Sequence, residues 1–166
     1  MISETRKTLN KLKKISESFD EINEQFFKQS FTWIKRRANR YLDKSVNKNN
    51  PHPTTYAREY TIHYRKNSAV MINDEPNSAA IEFGIGQEGK AEPHALASEV
   101  GYRYDVNNHE FYGWTFTLPN GTVIHTYGYG AKSFLYRALR DYINTGKYIE
   151  IYQKLMDRRL RSICKW

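Results

Sequence analysis

The chain predicts an α+β fold with N-terminal helices, a central mostly antiparallel sheet of four or five strands, and C-terminal helices. Three observations carry that expectation. Apolar residues recur at helical steps from Leu9 to Leu42. An aromatic, alternating stretch runs from Tyr60 to Tyr127 and is broken by turn residues. Helical spacing then returns from Phe134 to Leu155. A length of 166 residues predicts one domain, spanning 1–166, with room for a sizeable core.

Leu9, Leu12, Ile15, Phe19, Ile22 and Phe26 step by three or four residues, the signature of an amphipathic helix. Phe31, Ile34, Ala38, Tyr41 and Leu42 continue it, either as one long helix or as two that break near Gln29–Ser30, where Ser30 can cap. Residues 45–55 are polar and turn-prone, with Pro51 and Pro53, and predict a loop. Tyr60–Tyr64 and Ser68–Ile72 read as a hairpin about Lys66–Asn67. Asn77 or Ser78 is placed to cap a short helix over Ala79–Phe83, with Gly84 as its stop. Residues 87–97 lack apolar bulk and predict a second loop. Strands are expected at Tyr102–Tyr104, Glu110–Leu118 and Thr122–Tyr127, the last two joined by the turn Pro119-Asn120-Gly121. Ser133 is a candidate cap for a helix from Phe134 to Ile143, which Gly146 ends, and a final helix runs from Tyr148.

The formal net charge is +8, and its distribution says more than its size. Residues 35–66 hold nine basic and two acidic side chains, 67–130 hold two and eight, and 131–166 hold nine and three. An acidic middle is thus flanked by basic segments, so copies of the chain have surfaces that attract one another, unless the two signs meet within one fold. The 13 tyrosines add side chains with an apolar body and a polar tip, suited to interfaces as well as to cores. The single cysteine, Cys164, excludes an intrachain disulfide and fits a reducing compartment. No apolar run approaches a membrane span, and Met1–Arg6 carries no apolar stretch of the kind that begins a secretory signal.

No catalytic or cofactor constellation is legible. His52, His63, His94, His109 and His125 do not share chelating spacing, and Glu82, Glu88, Glu92, Glu99, Asp105 and Glu110 do not form an ordered pair. Gly84-x-Gly86 lacks the strand-to-helix context and the following lysine of a nucleotide loop. Gly128-x-Gly130 precedes a helix, but only Lys132 supports an anion there. The expectation is a protein that is not an enzyme and needs neither metal nor cofactor. Arg36, Arg37, Arg40, Lys44 and Lys48 are candidates for contact with DNA phosphates or a partner, without a motif that would read sequence. A basic accessory protein that contacts nucleic acid through phosphates is therefore the alternative function.

One stretch ties the chain to a known group. Ser78-Ala79-Ala80-Ile81-Glu82-Phe83-Gly84-Ile85-Gly86 resembles the YAxxVE(F/Y)GTG signature of the HK97 gp10-like tail-component family of tailed bacteriophages. Gly130-Ala131-Lys132-Ser133-Phe134-Leu135-Tyr136-Arg137-Ala138 resembles the block that opens that family's final helix, and Trp33 with Ala38 resembles its N-terminal helix. The resemblance spans roughly residues 5–143, leaving 147–166 as a helical extension. The chain departs from the pattern at Ser78, Ile85 and Ser133. The resemblance implies Ala79, Glu82, Phe83, Gly84, Gly86, Gly130, Phe134 and Ala138 as a structural signature. It also implies a virion protein of the neck, assembled in the host cytoplasm as a homo-oligomeric ring, with hexameric closure as its expected form. Such a ring completes the tail and helps join it to the head. Its partners would be the connector or head-closure protein on one side and the tail terminator or tail tube on the other, with DNA crossing the lumen. Physically, Gly84, Gly86, Gly128 and Gly130 are suited to holding two loops close together. Glu82 is the odd residue in an apolar neighbourhood. It either pairs with Arg137 or a neighbouring subunit's cation, or caps a helix or faces solvent.

Overall fold

The computed structural model describes residues 2–45, 59–65, 67–75, 78–104, 112–117 and 120–164. Helices α1 (Ile2–Glu17) and α2 (Phe19–Ser45) lead. Strands β1 (Thr61–Arg65) and β2 (Ser68–Ile72) and the short helices α3 (Ser78–Phe83) and α4 (Gly86–Ala91) follow. Strands β3 (Trp114–Thr117), β4 (Val123–Thr126) and β5 (Gly128–Tyr129) precede α5 (Phe134–Asn144) and α6 (Lys147–Cys164). This is the α+β order that the sequence predicts.

The core lies between α2 and the α5–α6 pair. Ile22, Phe26, Ser30, Ile34, Ala38 and Leu42 fall on every fourth position of α2, and all are buried except the half-buried Phe26. Such a row drifts by about 40° per step around a helix of 3.6 residues per turn. It therefore faces α6 first, where Phe26 meets Tyr152 edge-on at 5.6 Å, and then α5, where Trp33 lies 5.7 Å from Tyr142. The chain returns antiparallel to α2, from Tyr142 beside Trp33 to Arg159, which pairs with Glu21 at 3.3 Å. Ile151 and Leu155 of α6 belong to this core, so the segment read as an extension is packed into the domain.

The first helical break is at Ser18, not at Gln29–Ser30. Ser18 is fully buried and its hydroxyl and amide both donate to Ile15 O, at 2.7 and 3.1 Å, tightening the turn between α1 and α2. Ser30 sits inside α2, where its hydroxyl accepts from Tyr142 at 2.5 Å and so is not free to cap.

Four of the five strands form two separate antiparallel hairpins, and β5 joins neither. β1 pairs with β2 in the register Thr61↔Ile72 to Arg65↔Ser68, and β3 with β4 from Trp114↔Thr126 to Thr117↔Val123. Tyr102–Tyr104 is not a strand; Tyr102 and Tyr104 pack edge-on at 5.3 Å instead. Residues 87–91 of the predicted loop 87–97 are helical, in α4, and residues 95–97 form a turn. The rest of the expected 45–55 loop after Ser45, and residues 110–111 and 118 of the predicted strand, lie outside the described residues.

A charged clamp fixes α5 on α2. Asp141 Oδ2 accepts from Tyr41 Oη at 2.5 Å and from Arg37 Nε at 2.6 Å. Arg137, one turn back, lies over the Tyr41 ring at 4.2 Å, a cation–π contact. The Tyr41 hydroxyl and the Arg37 guanidinium hold the Asp141 carboxyl below its ordinary range. A depressed carboxyl stabilises the fold above its unfolded value, about 3.9, and that contribution disappears as pH falls from there through the lower folded value. Urea titrations should therefore show Asp141→Asn less stable than the parent chain at neutral pH. The gap should close progressively below about pH 4. A gap independent of pH would contradict the clamp.

Candidate functional site

The signature residues meet around one carboxylate. α3 is only six residues long and ends where Gly84 turns the chain. Its last turn presents Glu82, 8% exposed, toward the start of α5. Glu82 Oε2 accepts from Leu135 N and Oε1 from Tyr136 N, both at 2.9 Å. These are first-turn amides, which a helix cannot satisfy internally. The carboxylate also opposes the positive end of the α5 dipole. In return, the α5 approach caps α3: Lys132 N and Ser133 N donate to the carbonyls of Ile81 and Glu82, both at 3.0 Å. Two helices more than fifty positions apart thus satisfy each other's ends. Ser133, the candidate cap, is left-handed at φ 48° and makes no side-chain cap bond, because Glu82 occupies that role.

A buried histidine completes the site. His94 Nδ1 accepts from Leu96 N at 3.0 Å, which places the ring proton on Nε2, where it donates to Glu82 Oε1 at 3.1 Å. The ring packs between Phe83, 4.4 Å away, and Tyr136, 5.1 Å away. Tyr102 stacks on Phe83 at 4.7 Å and donates its hydroxyl to Gly84 O at 2.8 Å. Glu82 thus holds two backbone amides and one imidazole N–H, within an aromatic enclosure. Of the roles the sequence left open for Glu82, capping a helix is the one seen, while Arg137 lies over the Tyr41 ring instead.

The two glycine blocks touch directly. Ile85 bridges Tyr129, and Gly86 bridges Gly128. At Gly128 (φ 103°) a Cβ would stand 1.9 Å from Ile85 O, and at Gly86 (φ 69°) 2.5 Å from Tyr127 O. Only glycine fits either backbone. Gly130 is buried beneath the Glu92 side chain, and Phe134 and Ala138 enter the core, at 2% and 0% exposure. Ala79 is exposed on the first turn of α3 and takes no part in the knot.

The basic candidates separate. Arg36, Arg40 and Lys44 form an exposed stripe at four-residue spacing on α2, whereas Arg37 belongs to the Asp141 clamp. Lys48 lies outside the described residues. Among the described residues, no three His, Cys, Asp or Glu side chains gather as a metal site. No described helix is long and apolar enough to cross a membrane. The Glu82–His94 pair is not set out for acid–base work, since both partners are enclosed and spend their hydrogen-bonding atoms on backbone amides and on each other. Sequence reasoning missed His94, Tyr102 and Asp141 as partners, since each acts across a long separation with no local motif.

A scan against protein-family models and searches of curated proteins and solved structures find no match to this chain.

The knot generates a direct test. Glu82→Gln retains the side-chain shape but loses the charge that the amides and the imidazole share. Chemical denaturation should show a loss of roughly 1.5–3 kcal/mol, the range for hydrogen bonds to a charged group. His94→Gln should couple to it, the double variant costing less than the sum. Additive losses would mean that the two side chains act independently.

Proposed function

We propose that this chain is a non-catalytic structural subunit of a tailed-bacteriophage virion, forming a ring at the head–tail junction that completes the tail and helps join it to the connector. The observation that carries this reading is the Glu82 knot. The two blocks on which the resemblance rests are separate in sequence, yet their residues interlock through reciprocal helix caps, with the Gly86–Gly128 bridge just ahead of the second block. A motif used this way builds a rigid body for assembly rather than a pocket for chemistry. Hexameric closure, a connector or head-closure protein on one face, and a tail terminator or tail tube on the other belong to the same proposal. So does DNA passing through the lumen. The chain would assemble in the host cytoplasm and reside in the virion neck.

Cryo-electron microscopy of intact virions tests this directly. The expected result is density for this fold as a ring between connector and tail tube. Its absence from mature particles, established by mass spectrometry of purified virions, would overturn the structural role.

The exposed Arg36, Arg40 and Lys44 stripe supports a second reading, sequence-independent contact with DNA phosphates. On that reading, fluorescence anisotropy with duplex DNA gives weak binding that falls linearly in log–log form with added salt. The slope decreases by about one for each stripe cation replaced by alanine. Binding that ignores salt would reject it.

A further inference from the structure

Two surfaces at opposite ends of α5 are opposite in charge, and each carries apolar side chains. At the N-terminal end, the turn over residues 95–101 is held as a rigid knob. Val100 N donates to Leu96 O at 3.1 Å and Tyr102 N to Ala97 O at 2.9 Å. Ala97 is buried, and His94 anchors the knob's base to Glu82. At its tip Glu99 is exposed and Val100 is 60% exposed, an apolar side chain beside a carboxylate on the acidic part of the chain.

At the C-terminal end of α5, a groove of about 340 Å³ opens between α2 and the start of α6. It is lined by the half-buried Trp33 and the buried Ile151, with Lys28, Arg36, Lys147 and Lys154 around them. Lys28 is paired with Glu24 at 2.5 Å, and Lys147 and Lys154 share Glu150, each at 2.7 Å. Arg36 is exposed and makes no ion pair among the described residues. The fixed carboxylate of Glu150 interrupts the basic rim, which disfavours a phosphate backbone tracking along it. A mixed lining, with an aromatic and an aliphatic side chain surrounded by cations, instead suits an apolar residue flanked by a carboxylate.

We propose that copies of this chain bind head to tail, with the Glu99–Val100 knob of one copy seated in the α2–α6 groove of the next. Val100 lies against Trp33 and Ile151, and Glu99 pairs with Arg36. The knob cannot reach its own groove, because the 11 residues of α5 set the two about 16 Å apart at 1.5 Å per residue. Two different surfaces on one protomer make a heterologous contact, which closes into a ring or propagates as a filament. The proposal deepens the ring reading and rests on it only for the requirement that the copies associate.

Sedimentation velocity of the full chain over a wide concentration range provides the test. The parent chain should self-associate, while Arg36→Glu, Glu99→Arg and Val100→Asp should each weaken association about tenfold or more. All three positions are exposed, and unchanged circular dichroism and melting temperature would verify folding. The charge-swapped chain, Arg36→Glu with Glu99→Arg, should recover most of the lost affinity. A parent chain that stays monomeric near millimolar concentration overturns the proposal. Assembly indifferent to all three single substitutions also overturns it, but leaves a ring built on another contact intact. DNA binding that Arg36→Glu abolishes, with association unchanged, would reassign the groove to phosphate and overturn it as well.

Discussion

Everything in this fold depends on a buried carboxylate used as a cap at a distance. An ordinary N-cap residue precedes its helix and acts locally, contributing roughly 0.5–2 kcal/mol. Glu82 belongs to another helix, so the hydrogen bonds that complete the first turn of α5 also fix α3 in space. The returning bonds from Lys132 and Ser133 to α3 make the dependence mutual. Burial raises the stakes, because first-turn amides deprived of both water and Glu82 would each carry a desolvation penalty of about 1–3 kcal/mol. The glycines serve this arrangement. The backbone at Gly86 and Gly128 approaches too closely for any side chain, and that approach brings α3 to the mouth of α5.

From that knot the remainder follows as a lever. One end of α5 is fixed by Glu82, and the other is fixed to α2 by Asp141 and by Tyr142, whose hydroxyl donates to Ser30. α6 continues along α2 and contributes Ile151 and Leu155 to the same core. The two ends of α5 are therefore held in a constant relation, which is what a subunit needs if different partners meet its two ends. The hairpins β1–β2 and β3–β4 are mostly exposed or half-buried, so they add surface rather than core.

Much of this was legible in the residues. The helical periodicity of α2, the stop at Gly84 and the closeness of the two glycine blocks follow from spacing and from the absence of a Cβ. The coarse order, N-terminal helices, then antiparallel strands, then C-terminal helices, follows from periodicity. The failures have physical causes. Ser30 has the chemistry of a cap, but Tyr142, more than a hundred residues away, takes its hydroxyl. α4 reads as a loop because Gly86 and Gly89 lower helix propensity. Gly89 is there because a Cβ would come within 2.8 Å of the Gly84 carbonyl carbon. Glu82 was recognised as anomalous, yet its partners lie 12, 53 and 54 residues away. Neither that range nor the role of His94 leaves a local trace in the sequence.

The most direct measurement of the central constraint is native-state amide hydrogen exchange at Leu135 and Tyr136, followed by NMR. Amides in the first turn of a helix ordinarily exchange through small local openings, because they lack intrahelical acceptors. If Glu82 holds both, they should exchange only with global unfolding, at the same free energy as the core amides of α2, and Glu82→Gln should move both together into the fast class. Rapid exchange of these two amides in the parent chain, with the α2 core still protected, would contradict the account.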